Sequence, residues 1–371
     1  MKIGIITLPL DFNYGGILQA YALEEVLRRE GHQVEHIELS RPLKLLPFKT
    51  RYLVYFKRFV QKYILGKNVR VFQESYLYKT NKQVTQNTTR FINTYINRRI
   101  VSSYSDLKES DYETLIVGSD QVWRPSYMKQ LGGYATFLDF AKDWNVRKLA
   151  YACSFGSGEW DFTAEETSNL AALLNQFNKV TVREASGVDL CRNYLHIDSQ
   201  QVLDPTMLLD KADYEQLINN IDTNKSLGDM MCYVLDETPE KTLFIKSIAH
   251  NYNLTPFKSN SKAEDRWAPV EERIQPPVEQ WLRGFADAKL VITDSFHACV
   301  FSIIFNKPFI CLINKKRGAD RFITLLSIIN QDYRLVDNNS INHLDSKCFD
   351  KPNPELSTLK EESITILRKI S

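Results

Sequence analysis

Residues 1–40 read MKIGIITLPL DFNYGGILQA YALEEVLRRE GHQVEHIELS. Ile3–Leu8 is a short apolar run of strand length, and it leads into the Gly-bearing loop Asp11-Phe12-Asn13-Tyr14-Gly15-Gly16. Over 17–30 the apolar residues Ile17, Tyr21, Leu23, Val26 and Leu27 recur on one broad helical face. Gly31 suits the C′ position that closes such a helix, and Val34–Leu39 predicts the next strand. A strand, a helix and a second strand in so short a span predict a parallel α/β sheet, because parallel strands need a crossover.

The alternation continues beyond this start. Strands are predicted at Thr114–Val117, Lys148–Phe155 and Lys179–Val182. A helix is predicted over about 163–177, where Thr163 and Glu166 form a capping-box pattern. Asp204-Pro205-Thr206 marks the end of a first domain, 1–207. The second, 208–371, has predicted strands at Met230–Leu235, Leu290–Thr293 and Pro308–Ile313 and a C-terminal helix over 355–370. The fold class is α/β, with two Rossmann-like domains. In such sheets a ligand lies in the crevice beyond the carboxyl ends of the strands, so the polar residues that follow strands matter most.

The chain has 371 residues, 43% hydrophobic and 25% charged, which excludes a disordered or collagen-like protein. A net charge of +2 argues against a uniformly basic nucleic-acid binder, and no nucleic-acid partner is expected. That small net hides an asymmetry. Residues 41–110 hold 15 Lys+Arg against 3 Asp+Glu, and the remainder holds 32 against 42. The same segment carries twelve aromatics and interrupts the strand–helix rhythm. It reads as a basic aromatic insertion in the first domain, an arm or lid, with an amphipathic helix around Arg51–Tyr63. The N-terminus shows no signal-peptide pattern, and no stretch approaches the roughly 18–20 apolar residues of a spanning helix. The six cysteines include no C-x-x-C pair. Reduced, buried thiols in a cytoplasmic protein are expected.

Among the strand-end residues His297 stands first. It falls in the first turn of the helix after Leu290–Thr293, behind Asp294 and Ser295, which suit the N-cap. A helix N-terminus offers free N–H groups and partial positive charge to an anion, and a His there can cycle between acid and base. Arg183 ends another strand. Its fork suits a carboxylate or phosphate, with a structural pair to Glu184 as the equal alternative. Lys315, Lys316, Arg317 and Arg321 follow a further strand, either as a phosphate clamp or as an exposed basic turn. Three loops supply polar and aromatic groups together, a set that suits sugars. The first holds Asn13, Tyr14, Gly15 and Gly16, with Gln19 just beyond. The second holds Asp120, Gln121 and Trp123, and the third Ser154 and Phe155. The chain has no D-x-D, H-E-x-x-H, H-x-E…C-x-x-C or EF-hand pattern, so no bound metal is expected. It also lacks G-x-G-x-x-G, the Walker loop and G-x-S-x-G.

These residues resemble the polysaccharide pyruvyl transferase family. The likeness runs through Asn13-Tyr14-Gly15-Gly16-Ile17-Leu18-Gln19-Ala20-Tyr21, Val117-Gly118-Ser119-Asp120-Gln121-Val122-Trp123 and Tyr151-Ala152-Cys153-Ser154-Phe155-Gly156. It continues through Val182-Arg183-Glu184, Leu203-Asp204-Pro205-Thr206, Thr293-Asp294-Ser295-Phe296-His297 and Lys307-Pro308-Phe309. The motifs are short, and their order and spacing carry the specificity. The resemblance implies a GT-B-like two-domain fold. It also implies transfer of a pyruvyl group from phosphoenolpyruvate to sugar hydroxyls of a surface polysaccharide precursor, forming a ketal and releasing phosphate.

The resemblance makes His297 the acid/base group, with Asp294 orienting it or binding the acceptor. It places Arg183 on the donor anion. Some family members carry Arg where this chain has Ser295, so Ser295 stays in the donor site and Lys315, Arg317 and Arg321 supply its second anion clamp. The loop residues from Asn13 to Phe155 named above would bind the acceptor. No cofactor is expected beyond phosphoenolpyruvate as substrate. The acceptor sugar would be free, nucleotide-linked or carried on a lipid diphosphate; for a lipid-carried acceptor the basic aromatic segment 41–110 would rest on the inner face of the membrane, with an ordinary helical lid of solvated charges and packed aromatics as the alternative. A GT-B glycosyltransferase using a nucleotide sugar and a non-catalytic sugar-binding protein are the alternatives.

Overall fold

The computed structural model describes residues 1–40, 46–128, 131–314, 318–337 and 344–369. Among these residues seven parallel strands form the first sheet. They are β1 (Lys2–Ile6), β2 (Gln33–Leu39), β3 (Arg98–Val101), β4 (Thr114–Val117), β5 (Arg147–Cys153), β6 (Lys179–Val182) and β7 (Gln200–Gln201), in the order β3-β2-β1-β4-β5-β6-β7. The second sheet holds β8 (Met230–Tyr233), β9 (Pro256–Phe257), β10 (Leu290–Thr293), β11 (Phe309–Leu312) and β12 (Leu335–Val336), in the order β12-β11-β10-β8-β9. All pairings are parallel, with Ile3 opposite both Val34 and Thr114 and Val291 opposite both Met231 and Phe309. β4, β8, β10 and β11 are buried along their whole length, as apolar strands covered on both faces must be.

Helices α1 (Tyr14–Arg29), α2 (Phe48–Tyr63), α3 (Gln73–Val84), α4 (Gln86–Tyr95), α5 (Pro125–Met128), α6 (Ala164–Leu174) and α7 (Ala185–Leu190) belong to the first half of the chain. Helices α8 (Lys211–Asn219), α9 (Pro239–Asn251), α10 (Val270–Arg273), α11 (Val278–Asp287), α12 (Phe296–Ile304), α13 (Asp320–Ile328) and α14 (Ser357–Arg368) complete it. α1 begins earlier than the apolar pattern predicts. Asn13 Oδ1 accepts from the backbone N–H of Gly15 at 3.1 Å and of Gly16 at 3.4 Å, so both glycines lie in the first turn and not in a loop. The Thr163–Glu166 capping box is formed at the start of α6.

Two expectations about organisation are corrected. The interruption of the first sheet is shorter than 41–110, because Arg98–Val101 returns to the sheet as β3 beside β2. The C-terminal helix, grouped by sequence with the second domain, packs on the first. Its Ser363 hydroxyl accepts from Leu203 N–H at 3.1 Å, Arg368 pairs with Glu30 at 3.0 Å, and Leu367 joins the core that contains α1.

That core runs without a break from the first sheet to the second. Tyr14 stacks on Trp281 at 5.1 Å, its hydroxyl donates to Pro276 O at 2.8 Å, and Tyr214 meets Phe301 at 4.9 Å. Each such side chain contributes about 1.5–3 kcal/mol by leaving water, so the two sheets are held in one relative placement. All six cysteines are buried free thiols. Among the described residues no helix is long and apolar enough to cross a membrane.

Candidate active site

The carboxyl ends of β1, β4 and β10 open toward one another. β10 stops at Thr293, whose hydroxyl donates to Tyr233 O at 2.7 Å and accepts from Ser295 N–H at 3.0 Å. The chain then turns into α12 with Ser295 at the N-cap. His297 sits in the first turn, only 6% exposed. Its ring lies against α1 at Gly15. A Cβ there would stand 2.0 Å from His297 Nδ1 and 2.3 Å from its Cγ. Gly15 is helical, so the glycine is needed for space and not for an unusual φ.

The carboxylate facing His297 is Asp204, with Oδ2 at 3.6 Å from Nε2. Nε2 is fully buried and makes no hydrogen bond among the described residues. Asp204 is itself held from several sides. Oδ1 accepts from Thr206 N–H at 3.0 Å and the Thr206 hydroxyl at 2.7 Å, and Oδ2 from Arg183 Nη1 at 2.8 Å and the Ser119 hydroxyl at 3.3 Å. Burial opposes its charge, but His297, Arg183 and Thr206 outweigh that and hold the carboxyl far below the usual carboxylate range.

Arg183 is enclosed by acids. Its Nε donates to Glu184 at 2.9 Å, and Nη2 lies 3.8 Å from Asp120, without a hydrogen-bond partner among the described residues. Its guanidinium also covers the Phe296 ring at 4.4 Å, and Arg321 approaches the same ring at 5.5 Å. Burial and the neighbouring Arg183 push Arg321 down to about 10.

Two cavity lobes meet at His297. The smaller, about 480 Å³, is lined by Asp120, Gln121, Arg124, Tyr127 and Arg321 together with the start of α12. Arg124 donates to Gln121 Oε1 at 2.8 Å. The larger, about 580 Å³, lies toward the second sheet, lined by Tyr233, Lys258, Asn260, Lys262 and Gln275. Lys258 pairs there with Glu237, and Lys262 pairs with Glu272 at 2.6 Å. Phe12, Asn13, Ser295 and His297 border both lobes. Such a pair suits two reactants that meet at one acid/base group.

Asn13, Gly15, Gly16, Asp120, Gln121, Ser295, His297 and Arg321 therefore converge on the cleft. Several residues expected with them do not. Tyr14 is spent in the core. Trp123 is buried, stacked on Phe137 at 5.1 Å and donating to Thr136 O at 2.9 Å, so its indole offers no face to a sugar. Phe155 packs on Trp123 at 5.1 Å, and the Ser154 hydroxyl accepts from Gly156 N–H at 3.0 Å. The Gln19 amide donates to the Thr7 hydroxyl and to Gly16 O, each at 3.0 Å. Strand-end position exposes a backbone turn, but the apolar side chains beside it turn into the nearest core.

Asp294 borders the smaller lobe, yet it does not orient His297. It accepts from Leu235 N–H at 2.6 Å, Asp236 N–H at 3.1 Å, Lys241 Nζ at 2.7 Å and Asn314 Nδ2 at 3.1 Å. Arg183 lies beneath the cleft among its acids and lines neither lobe. Lys315, Lys316 and Arg317 lie outside the described residues. Asp204 and Arg124 join the site without a role that the sequence pattern assigns them. Asp204-Pro205-Thr206 was legible as a strand end, and Arg124 as the continuation of the Asp120 loop. Among the described residues no cluster of three or more His, Cys, Asp or Glu side chains is placed to hold a metal ion.

The model of the polysaccharide pyruvyl transferase family matches residues 13–316. No curated protein matches the sequence. Among solved structures, UDP-GlcNAc 2-epimerase from Neisseria meningitidis is similar over 100% of this chain and 99% of its own, with 10% identity and a TM-score of 0.50. The UDP-GlcNAc 2-epimerase of Methanocaldococcus jannaschii is similar over 99% of both chains, with 12% identity and a TM-score of 0.47. At 10% identity the first of these likenesses is one of fold alone, the GT-B-like pairing of two Rossmann-like units.

Proposed function

The chain belongs to the polysaccharide pyruvyl transferase family, and on that premise we propose that it moves the pyruvyl group of phosphoenolpyruvate onto two hydroxyls of a sugar. The observation that carries the reading is the buried His297–Asp204 pair where the two lobes meet. The donor enters the smaller lobe. Arg124 and Arg321 face its phosphate and carboxylate, with the N-terminus of α12 beside them. Arg183 acts from beneath, fixing Asp204 and Asp120. Arg124 takes the place of the cation missing at Ser295. The acceptor sugar occupies the larger lobe, free or carried on a lipid diphosphate, and the helices after β2 touch the membrane surface.

The atoms balance as follows. C3 of phosphoenolpyruvate takes a proton, and one acceptor oxygen bonds to C2. The C2–O bond to phosphate breaks, and the second acceptor oxygen closes the ketal. Of the two hydroxyl protons released, one replaces that consumed at C3 and the other leaves with phosphate. The Asp204 carboxylate, 3.6 Å away, favours the imidazole proton on Nε2, and Nδ1, beside Gly15, is then the nitrogen that exchanges protons with the reactants. Acid–base help of this kind is worth about 10²–10⁴ in rate.

Calorimetry tests the reading. Wild-type protein and Arg124→Ala are titrated with phosphoenolpyruvate and with UDP-, GDP- and CMP-linked sugars. Phosphoenolpyruvate binding that weakens at least about tenfold in the variant is expected for a lost charge-assisted contact. Nucleotide binding with none for phosphoenolpyruvate would overturn the donor assignment in favour of a glycosyltransferase.

A further inference from the structure

Helix α2 carries its apolar side outward. Phe48, Tyr52, Phe56, Phe59 and Tyr63 recur at helical spacing, and each is between 48% and 68% exposed. At about 100° per residue they fall within roughly 80° of arc, one continuous stripe four turns long. Leu53 widens it at 71% exposed, and Ile64 and Leu65 extend it at 70% and 58%. No residue of α2 is buried. The half-buried side of the helix rests on the segment that follows. Arg58 pairs with Glu74 at 2.9 Å, and Tyr55 meets Phe72 edge-on at 4.9 Å.

Charge says what covers the stripe. Lys49, Lys57 and Lys62 are exposed beside it, and no Asp or Glu occurs from residue 46 to residue 73. A second copy of the same face would bring cations against cations. An anionic bilayer accepts both features at once, since aromatic rings settle at the headgroup level and Lys stems reach past them to lipid phosphates. The segment behind α2 is also tied to the second half of the molecule. Arg70 lies over the rings of Tyr76 at 4.2 Å and Trp267 at 5.0 Å, and Gln275 N–H donates to Val84 O at 3.1 Å. Gln275 lines the larger lobe.

We infer that α2 is an in-plane anchor that docks the protein on an anionic phospholipid surface and holds the larger lobe beside it. This deepens the membrane contact proposed above, and where the pyruvyl transfer reading holds it places the acceptor at a bilayer.

Co-sedimentation of the full chain with phosphatidylcholine vesicles, with or without phosphatidylglycerol, tests it. Binding is expected only with phosphatidylglycerol. It should fall steeply between about 0.1 M and about 1 M salt, as the screening length drops from about 10 Å to about 3 Å. Phe56→Ser with Phe59→Ser is expected to lower the partition coefficient at least about tenfold, and so is Lys49→Glu with Lys57→Glu and Lys62→Glu. Each variant changes exposed side chains and should melt like wild type. Equal binding to both vesicle types, unchanged binding by either variant, or no binding by wild type overturns the inference. So does a wild-type dimer that the Phe variant dissolves. No donor or acceptor enters the assay, so its failure leaves the pyruvyl transfer reading standing, and failure of that reading leaves this one.

Discussion

Gly15→Ala is the most informative single change, because its two consequences oppose one another. In a helix, Ala is favoured over Gly by roughly 0.5–1 kcal/mol. The backbone at Gly15 is helical, so the new methyl adds no torsional strain. Yet it would lie 2.0 Å from His297 Nδ1, 2.3 Å from Cγ and 2.7 Å from Cε1. Ordinary contact needs about 3.5 Å, so ring and helix must part by roughly 1.5 Å. Overpacking of this kind costs about 1–3 kcal/mol, which outweighs the helix gain. The variant should be less stable by about 1–2 kcal/mol and still folded. The catalytic effect should be far larger. A displacement near 1 Å costs about 10² in rate, and loss of acid–base help approaches 10²–10⁴. Urea denaturation measures the first effect, and phosphate release from phosphoenolpyruvate with a glycan acceptor measures the second. Imidazole NMR reports the ring directly. A Gly15→Ala variant with wild-type turnover and an unshifted His297 resonance would refute the packing of this ring on α1 as the basis of activity.

Asp204→Asn leaves Arg183 short of one carboxylate and His297 without a charge beside Nε2, and is expected to cost roughly 3–5 kcal/mol by urea denaturation; a loss under about 1 kcal/mol would show the cluster to be dispensable. Trp123→Phe removes the indole bond to Thr136 O and should cost about 1–3 kcal/mol while calorimetric affinity for phosphoenolpyruvate stays unchanged; a changed affinity would return the ring to the ligand site. Burial pushes Glu24, 3.5 Å from the buried His36, up to about 7 from 4.5. Because the folded value lies above the unfolded one, the contribution of Glu24 to stability is full below about pH 4.5 and is lost as pH rises through about 7, up to about 3 kcal/mol in all. Glu24→Gln should therefore gain melting temperature relative to wild type between pH 4.5 and pH 8, and an equal difference at both would refute the assignment.

The fold was legible because its signals are local. The run from Ile3 to Leu39 contains a strand, a capped helix and a second strand, and periodicity within a few residues is enough to read them. His297 was legible for the same reason, through its place just after β10. The basic, aromatic character of the stretch around α2 could also be read directly. Which way that helix faces could not, because composition does not say whether an aromatic stripe turns inward.

Only the tertiary structure separated cleft from core. Trp123 and Arg124 are neighbours in one strand-end loop, yet the Trp123 ring is buried on Phe137 and the Arg124 side chain lines the smaller lobe. Asp204 and Asp294 both follow strand-like runs, yet Asp204 meets His297 across the two sheets while Asp294 satisfies the donors after β8 and β11. Arg183 and Asp204 lie far from His297 in the chain, and Gly15 is further still. Local pattern decides which residues begin a helix or end a strand. Which carboxylate then faces which ring depends on how two sheets, folded from separate stretches of chain, settle around a shared core.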